Sequence, residues 1–146
     1  MAQDTPLRPT DRSLPIALLR ARETVMAPIR VMLAQSGISE QKWRVIRVLD
    51  ERGPMEQTPL AACACLLLPS LTRMVRSMEK EGLLTREADP EDGRKSIVTI
   101  TQAGRALLLD HAAESLAIST ELEARFGPER MALLLDLLEE LTQLET

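Results

Sequence analysis

The sequence predicts a mainly α-helical fold that carries one small β-hairpin. Three observations predict it. Residues 69–82, PSLTRMVRSMEKEG, place Leu71, Met74, Val75 and Met78 at i, i+3, i+4 and i+7, which makes one apolar stripe on a short helix. Residues 83–88 and 96–101 flank the loop DPEDGRK, and the second segment, SIVTIT, is β-branched as strands are. Leucine-rich helical segments then stand at both ends of the chain.

Composition sets the outer limits. With 146 residues and 45% hydrophobic content, the chain is long enough for one domain with its own core. Trp43 and Phe126 are the only aromatic residues, so the platforms on which single-strand binders stack bases are missing. No apolar run reaches the length of a membrane span and the N-terminus lacks a signal-peptide core, which predicts a cytoplasmic protein. Cys63 and Cys65 do not make a disulfide framework. The net charge of -4 is unevenly spread: +2 over residues 1–68, 0 over 69–101 and -6 over 102–146. Duplex DNA binding would require the basic groups of the first two sections to gather on one face.

Residues 1–12 are polar, contain two prolines and predict a flexible arm. Ser13 is the N-cap of a long helix to about Gln35, with Pro15 in its first turn and Pro28 inside it. Leu18, Val25, Ile29 and Met32 share one face of this helix, and Arg22 falls on the same face. A guanidinium there needs a partner, either an acidic side chain or the carboxylate of a bound small molecule. Ser39 caps a second helix, Glu40 to Glu51, whose apolar positions are Trp43, Ile46 and Leu49 and whose basic side carries Arg44, Arg47 and Arg52. Met55–Thr58 reads as a short extended link and Leu60–Leu66 as a short helix. The helix of residues 69–82 comes next, with Pro69 suited to its first position and Gly82 to the positive-φ position after its end.

Two short helices in tight succession, the second polar in its N-terminal half, form a helix-turn-helix pattern. Ser70, Thr72, Arg73 and Arg76 lie off the apolar stripe, and they are the residue types that reach guanine edges and phosphates from a major groove. The hairpin after them turns the pattern into a winged helix-turn-helix. Arg94 and Lys95 near its tip would reach the narrow minor groove or a phosphate. Asp92 reads as a brace for Arg94 or another nearby arginine.

Thr101 caps a long helix, Gln102 to Phe126, and Gly127-Pro128 breaks it before a last helix to about Leu144. The last helix is apolar nearly all round, more than one core-facing stripe requires, which points to a second copy of the chain. The domain division is thus an arm of residues 1–12 and a single unit of 13–146. Within the unit, dimerisation helices at 13–36 and 102–146 enclose a DNA-binding lobe at 39–101, with the reading helix at 69–82 and the wing at 83–101.

The residues argue against an enzyme. There is one histidine, His111, set among Leu107, Leu108 and Ala112 as an interior histidine would be. There is no glycine-rich phosphate loop, no metal-ligand spacing and no nucleophile in a turn context, so neither cofactor nor metal is implied. A protein-interaction module or antirepressor that has lost DNA binding stays open because residues 69–101 are neutral overall.

The element order and the wing segment DPEDGRKSIVTITQAG resemble the MarR family of transcriptional regulators over nearly all of residues 13–144. SLPIALLRARE, SEQKWRVIRVLDERGPME, ACLLLPSLTRM and RFGPERMALLLDLLEEL are similar to its homoprotocatechuate (4-hydroxyphenylacetate) degradation regulators. The resemblance implies a homodimeric repressor on a palindromic double-stranded DNA operator, released by an aromatic carboxylate. It places Ser70, Thr72, Arg73 and Arg76 in the major groove, Arg94 in the minor groove and Lys95 on a phosphate. It places Arg22, Trp43, Arg47 and His111 at the effector pocket. The chain departs from the pattern at Leu68, where a basic residue is frequent, and at Cys63, where a polar one is expected. It also has no cysteine in the first helix, where some relatives sense oxidants. Cys63 and Cys65 read as small buried residues.

Overall fold

The computed structural model describes residues 5–145. The first four positions of the expected N-terminal arm lie outside the described residues; Thr10–Arg12 form one 3-10 turn. The elements then run α1 (Leu14–Ala34), α2 (Glu40–Arg52), β1 (Met55–Glu56), α3 (Gln57–Cys63), α4 (Leu68–Lys80), β2 (Leu84–Ala88), β3 (Ser96–Ile100), α5 (Gln102–Phe126) and α6 (Pro128–Thr142).

Local chemistry sets most of the boundaries. Ser39 Oγ accepts the Lys42 amide at 3.2 Å and starts α2, while Gly53, at φ 82°, ends it. Gly82, at φ 77°, closes α4: its own amide bonds Glu79 O at 3.1 Å, and the Leu83 amide reaches back to Met78 O at 2.9 Å. Thr101 starts α5 and fastens it to the lobe. Its Oγ1 accepts the Gly104 amide at 3.1 Å and donates to Gly82 O at 2.6 Å. A Cβ at position 104 would collide with the Leu83 carbonyl, so the Thr-x-x-Gly spacing lets α5 press directly on the start of the wing.

Four expectations are corrected. The Met55–Thr58 link contains a strand, β1, which pairs antiparallel with β3 (Met55 with Val98, Glu56 with Ile97), so the wing is a three-stranded sheet in the order β1-β3-β2. The short helix starts at Gln57 and ends at Cys63, rather than spanning Leu60–Leu66. Pro59 sits in its first turn, where no intrahelical N–H bond is lost. The helix stops because Cys65 turns to φ 56°. Cys65 is therefore exposed and Cys63 half-buried, and neither is the small buried residue expected. Finally, Asp92 braces the wing loop through its backbone: Oδ1 accepts the Arg94 amide at 3.1 Å rather than the guanidinium.

The core belongs mostly to the lobe. Trp43, Val45, Ile46 and Leu49 of α2, Leu60 and Ala61 of α3, Leu71, Val75 and Met78 of α4, and Leu84 and Val98 of the wing pack into one cluster. Met32 and Leu33 join it from the end of α1. The helix-turn-helix pair, α3 and α4, meets at 104°. In contrast, α6 has no buried residue, and Leu133, Leu135 and Leu137 are each more than half exposed.

Candidate nucleic-acid interface and ligand cavity

With Leu71, Val75 and Met78 buried, α4 must turn its other face outward. Arg73 and Arg76 are exposed there, while Ser70 and Thr72 are half-buried beside them. Arg94 is exposed on the wing loop. Among the described residues, none of these three arginines is in an ion pair, so their charges are available to an external anion. Thr72, Arg94 and Lys95 share the walls of one cleft of about 500 Å³ between α4, the start of α3 and the wing, together with Leu68 and Ser96. Ser70, Arg73 and Arg76 are not on its walls and belong to the open face of α4.

Two of these side chains are partly committed within the chain. Lys95 Nζ lies 3.8 Å from Glu56, a partly solvated pair. Thr72 Oγ1 donates to Gln57 Oε1 at 3.0 Å, and Gln57 Nε2 donates to Ser96 Oγ at 2.7 Å. Sequence reasoning missed Gln57, the first residue of α3. A polar residue opening a Pro-containing first turn carries no local signal of its partners.

A second site lies between α1, α2 and α5. Arg22, Trp43 and Arg47 line a cavity of about 400 Å³ with Glu40, Arg44, Cys63, Ser115 and Ser119. His111 is not on its wall. It is 4% exposed, its Nε2 is hydrogen-bonded to Ser36 Oγ, and its ring meets Trp43 edge-on at 5.8 Å. His111 thus meets the cavity only through the indole it packs against.

The partner Arg22 requires is the acidic side chain of Glu40. Glu40 also receives Arg30 at 3.3 Å, and Arg30 in turn reaches Glu23 at 2.7 Å. Burial pushes the Glu40 carboxyl up, but the hydrogen bond and charge of Arg22, reinforced by Arg30, outweigh it and hold the group below the ordinary carboxylate value. With the folded value depressed, this latch is fully made above the unfolded value and opens only as pH falls through the lowered one. Two cations on the cavity wall are differently placed. Arg47 is exposed and in no ion pair among the described residues. Arg44 has its Nε buried without a hydrogen-bond partner. In the sequence Arg44 reads only as part of the basic side of α2, and Ser115 and Ser119 carry no signal at all, since they lie on α5, far from α2 in the chain.

Among the described residues, no group of His, Cys, Asp and Glu is placed to hold a metal ion, and no single helix is long and apolar enough to cross a membrane.

Comparison with known proteins agrees with this geometry. The MarR family model matches residues 38–96, which span α2 to the first residue of β3. The chain is 37% identical over 140 residues to the HTH-type transcriptional regulator FarR of Neisseria gonorrhoeae, covering 96% of each. It is 39% identical over 128 residues to the homoprotocatechuate degradative operon repressor of Escherichia coli, covering 88% of this chain and 86% of that one. A crystal structure of NadR in complex with 4-hydroxyphenylacetate superposes with a TM-score of 0.83 at 37% identity, covering 97% of this chain and all of the other. A chain that matches such relatives over 88% to 96% of its length, and that exposes arginines with no ion pair among the described residues on both its helix-turn-helix and its wing, belongs to the MarR family of transcriptional regulators.

Proposed function

We propose that this chain is a cytoplasmic, homodimeric repressor that binds a palindromic DNA operator of an aromatic-acid catabolic operon and is released by an aromatic carboxylate. Residues 39–101 form the DNA-binding lobe, and 13–36 with 102–146 form the dimerisation arms. Ser70, Thr72, Arg73 and Arg76 enter the major groove. Arg94 enters the flanking minor groove, where negative potential favours a guanidinium. Lys95 exchanges Glu56 for a phosphate.

The observation that carries the effector half of this reading is the cavity itself. It is lined by the Trp43 indole and by two guanidinium groups, Arg44 and Arg47, that have no carboxylate partner among the described residues. An aromatic acid needs that combination: a flat apolar wall for its ring and a charged fork for its carboxylate. Homoprotocatechuate and 4-hydroxyphenylacetate are the acids named for the two similar proteins, the operon repressor and NadR. Arg22 takes part by releasing Glu40 or by sharing it with the ligand's hydroxyl. His111 holds the indole in place. The cavity touches α1 and α5 of the arms and α2 of the lobe, so a ligand that fits one spacing of arm and lobe better than another shifts the dimer between DNA-competent and released forms.

The test is fluorescence-anisotropy titration of duplex DNA from the region upstream of the gene, at two salt concentrations, with and without each acid. Salt-sensitive binding reversed by one acid is the expected result. Binding that neither acid reverses would remove the effector, and no specific binding would remove the repressor.

A further inference from the structure

We infer that Gln57 is a positioning residue that sets the wing against the reading helix, so that Arg94 and the α4 arginines engage DNA as one surface. This rests on the DNA-binding reading proposed for the chain. Gln57 stands at the junction of three elements: it is the first residue of α3, it directly succeeds β1, and β1 pairs with the wing strand β3 through Glu56 and Ile97. Its amide is used in both directions. Oε1 accepts from Thr72 Oγ1 of α4 at 3.0 Å, and Nε2 donates to Ser96 Oγ at 2.7 Å. Thr72 adjoins Arg73 on the reading helix, and Ser96 is the first wing residue after Arg94 and Lys95. One side chain therefore spans from the DNA-facing edge of α4 to the base of the wing tip, across the floor of the cleft that Arg94 and Lys95 overlook.

The other polar tie between the wing and α4 among the described residues is the partly solvated Arg86–Glu79 pair at 3.6 Å, which sits on β2 two residues before its end at Ala88. The loop before β3 is held by backbone bonds, Asp89 N to Lys95 O at 2.9 Å and Lys95 N to Asp92 O at 3.0 Å, by the Asp89 and Asp92 carboxylates on the Glu91 and Arg94 amides, and by the Lys95–Glu56 pair at 3.8 Å, none of which reaches α4. Arg94 makes no ion pair among the described residues. Arg94 stands two residues before Ser96, and Ser96 is tied to the reading helix through Gln57. A misplacement of about an ångström is enough to spoil a positioned contact.

The experiment is a double-mutant cycle on operator affinity with Gln57→Ala and Arg94→Ala, with the salt slope measured for each protein. Arg94→Ala in the otherwise natural protein is expected to weaken operator binding about tenfold and to flatten the salt dependence by about one counterion. In the Gln57→Ala background the same change is expected to cost less than about threefold and to leave the slope nearly unchanged, because the wing has already come off its register. Ser96→Ala, which cuts only the wing end of the bridge, should reproduce this loss of coupling without touching α4. Gln57→Glu, which accepts a hydrogen bond from each hydroxyl, should keep the coupling even though its charge lowers affinity overall. Thermal melting of each variant shows that the folded lobe is being compared. If Arg94→Ala costs the same in both backgrounds, Gln57 does not position the wing and the inference is overturned. If Arg94→Ala has no effect in the natural protein either, the wing contact itself fails, and the bridge has nothing to position.

Discussion

The lobe and the arms of this chain solve the problem of apolar surface in opposite ways. In the lobe, residues 39–101, the apolar stripes bury one another: Leu71, Val75 and Met78 of α4 are 0% exposed, and so are Ile46, Leu60 and Val98, which they join. In the arms, Leu19 is 64% exposed, Leu116 68% and Leu135 59%, and α6 has no buried residue. The same residue type is core in one region and surface in the other. Such a run of exposed leucines exceeds what a monomeric surface carries and marks an interaction face. The lobe is a finished core, whereas the arms leave their leucines exposed, a face that a second copy of the chain would cover in the proposed dimer. The cavity proposed for the effector lies where the two regions meet, touching Arg22 of α1, Trp43 of α2 and Ser115 of α5.

Breaking the arms should have the largest effect on function. Leu134→Asp with Leu137→Asp puts four carboxylates into the joined helices of a dimer. It should yield a folded monomer whose operator affinity is about 100-fold lower or worse, since the second half-site no longer binds at high effective concentration. Sedimentation velocity and anisotropy check the two parts separately. Breaking the lobe should instead cost stability. Leu71→Ala empties a fully buried site where α4 meets the core and should lower the unfolding free energy by about 2–5 kcal/mol in a denaturant titration. Arg73→Ala leaves both regions intact and should weaken operator binding by about 1–3 kcal/mol if it reads a base edge; unchanged affinity would show that the assigned face of α4 is wrong. The smallest effect is expected at Glu56→Gln. This frees Lys95 from a partly exposed pair worth about 0–1 kcal/mol and should tighten DNA binding slightly, most visibly at low salt.

The contrast between the two regions is legible in the sequence, because it is written in local periodicity. The stripe of Leu71, Met74, Val75 and Met78 announces a one-sided helix, and the all-round leucines of residues 131–144 announce one with too much apolar surface for a single core. The caps at Ser39 and Thr101 and the glycine stops at Gly53 and Gly82 are legible for the same reason, since each acts within one turn of the chain. Contacts between distant residues are not. β1 is two residues long and shows no alternation; only its pairing with Ile97 and Val98 makes it a strand. The register of α3 depends on Cys65 adopting a left-handed conformation, which nothing in the residue type requires. At the site, the need of Arg22 for an anion can be read from its place on an apolar face, but not that Glu40 supplies it. Trp43 and Arg47 recur one turn apart on α2 and share a face, whereas Ser115 and Ser119 enter the cavity only through tertiary packing. Gln57 illustrates the limit most clearly, since its two partners lie 15 and 39 residues away.

The measurement that tests the central claim most directly is the molecular mass in solution, by sedimentation equilibrium, alone and on a labelled operator duplex. The expected result is a species at twice the 16.2 kDa of the chain, and two chains per operator. A protein that stays monomeric at micromolar concentration, or that binds its operator as a single chain, would contradict the claim, because the exposed leucines of α1, α5 and α6 would then have no role in DNA binding.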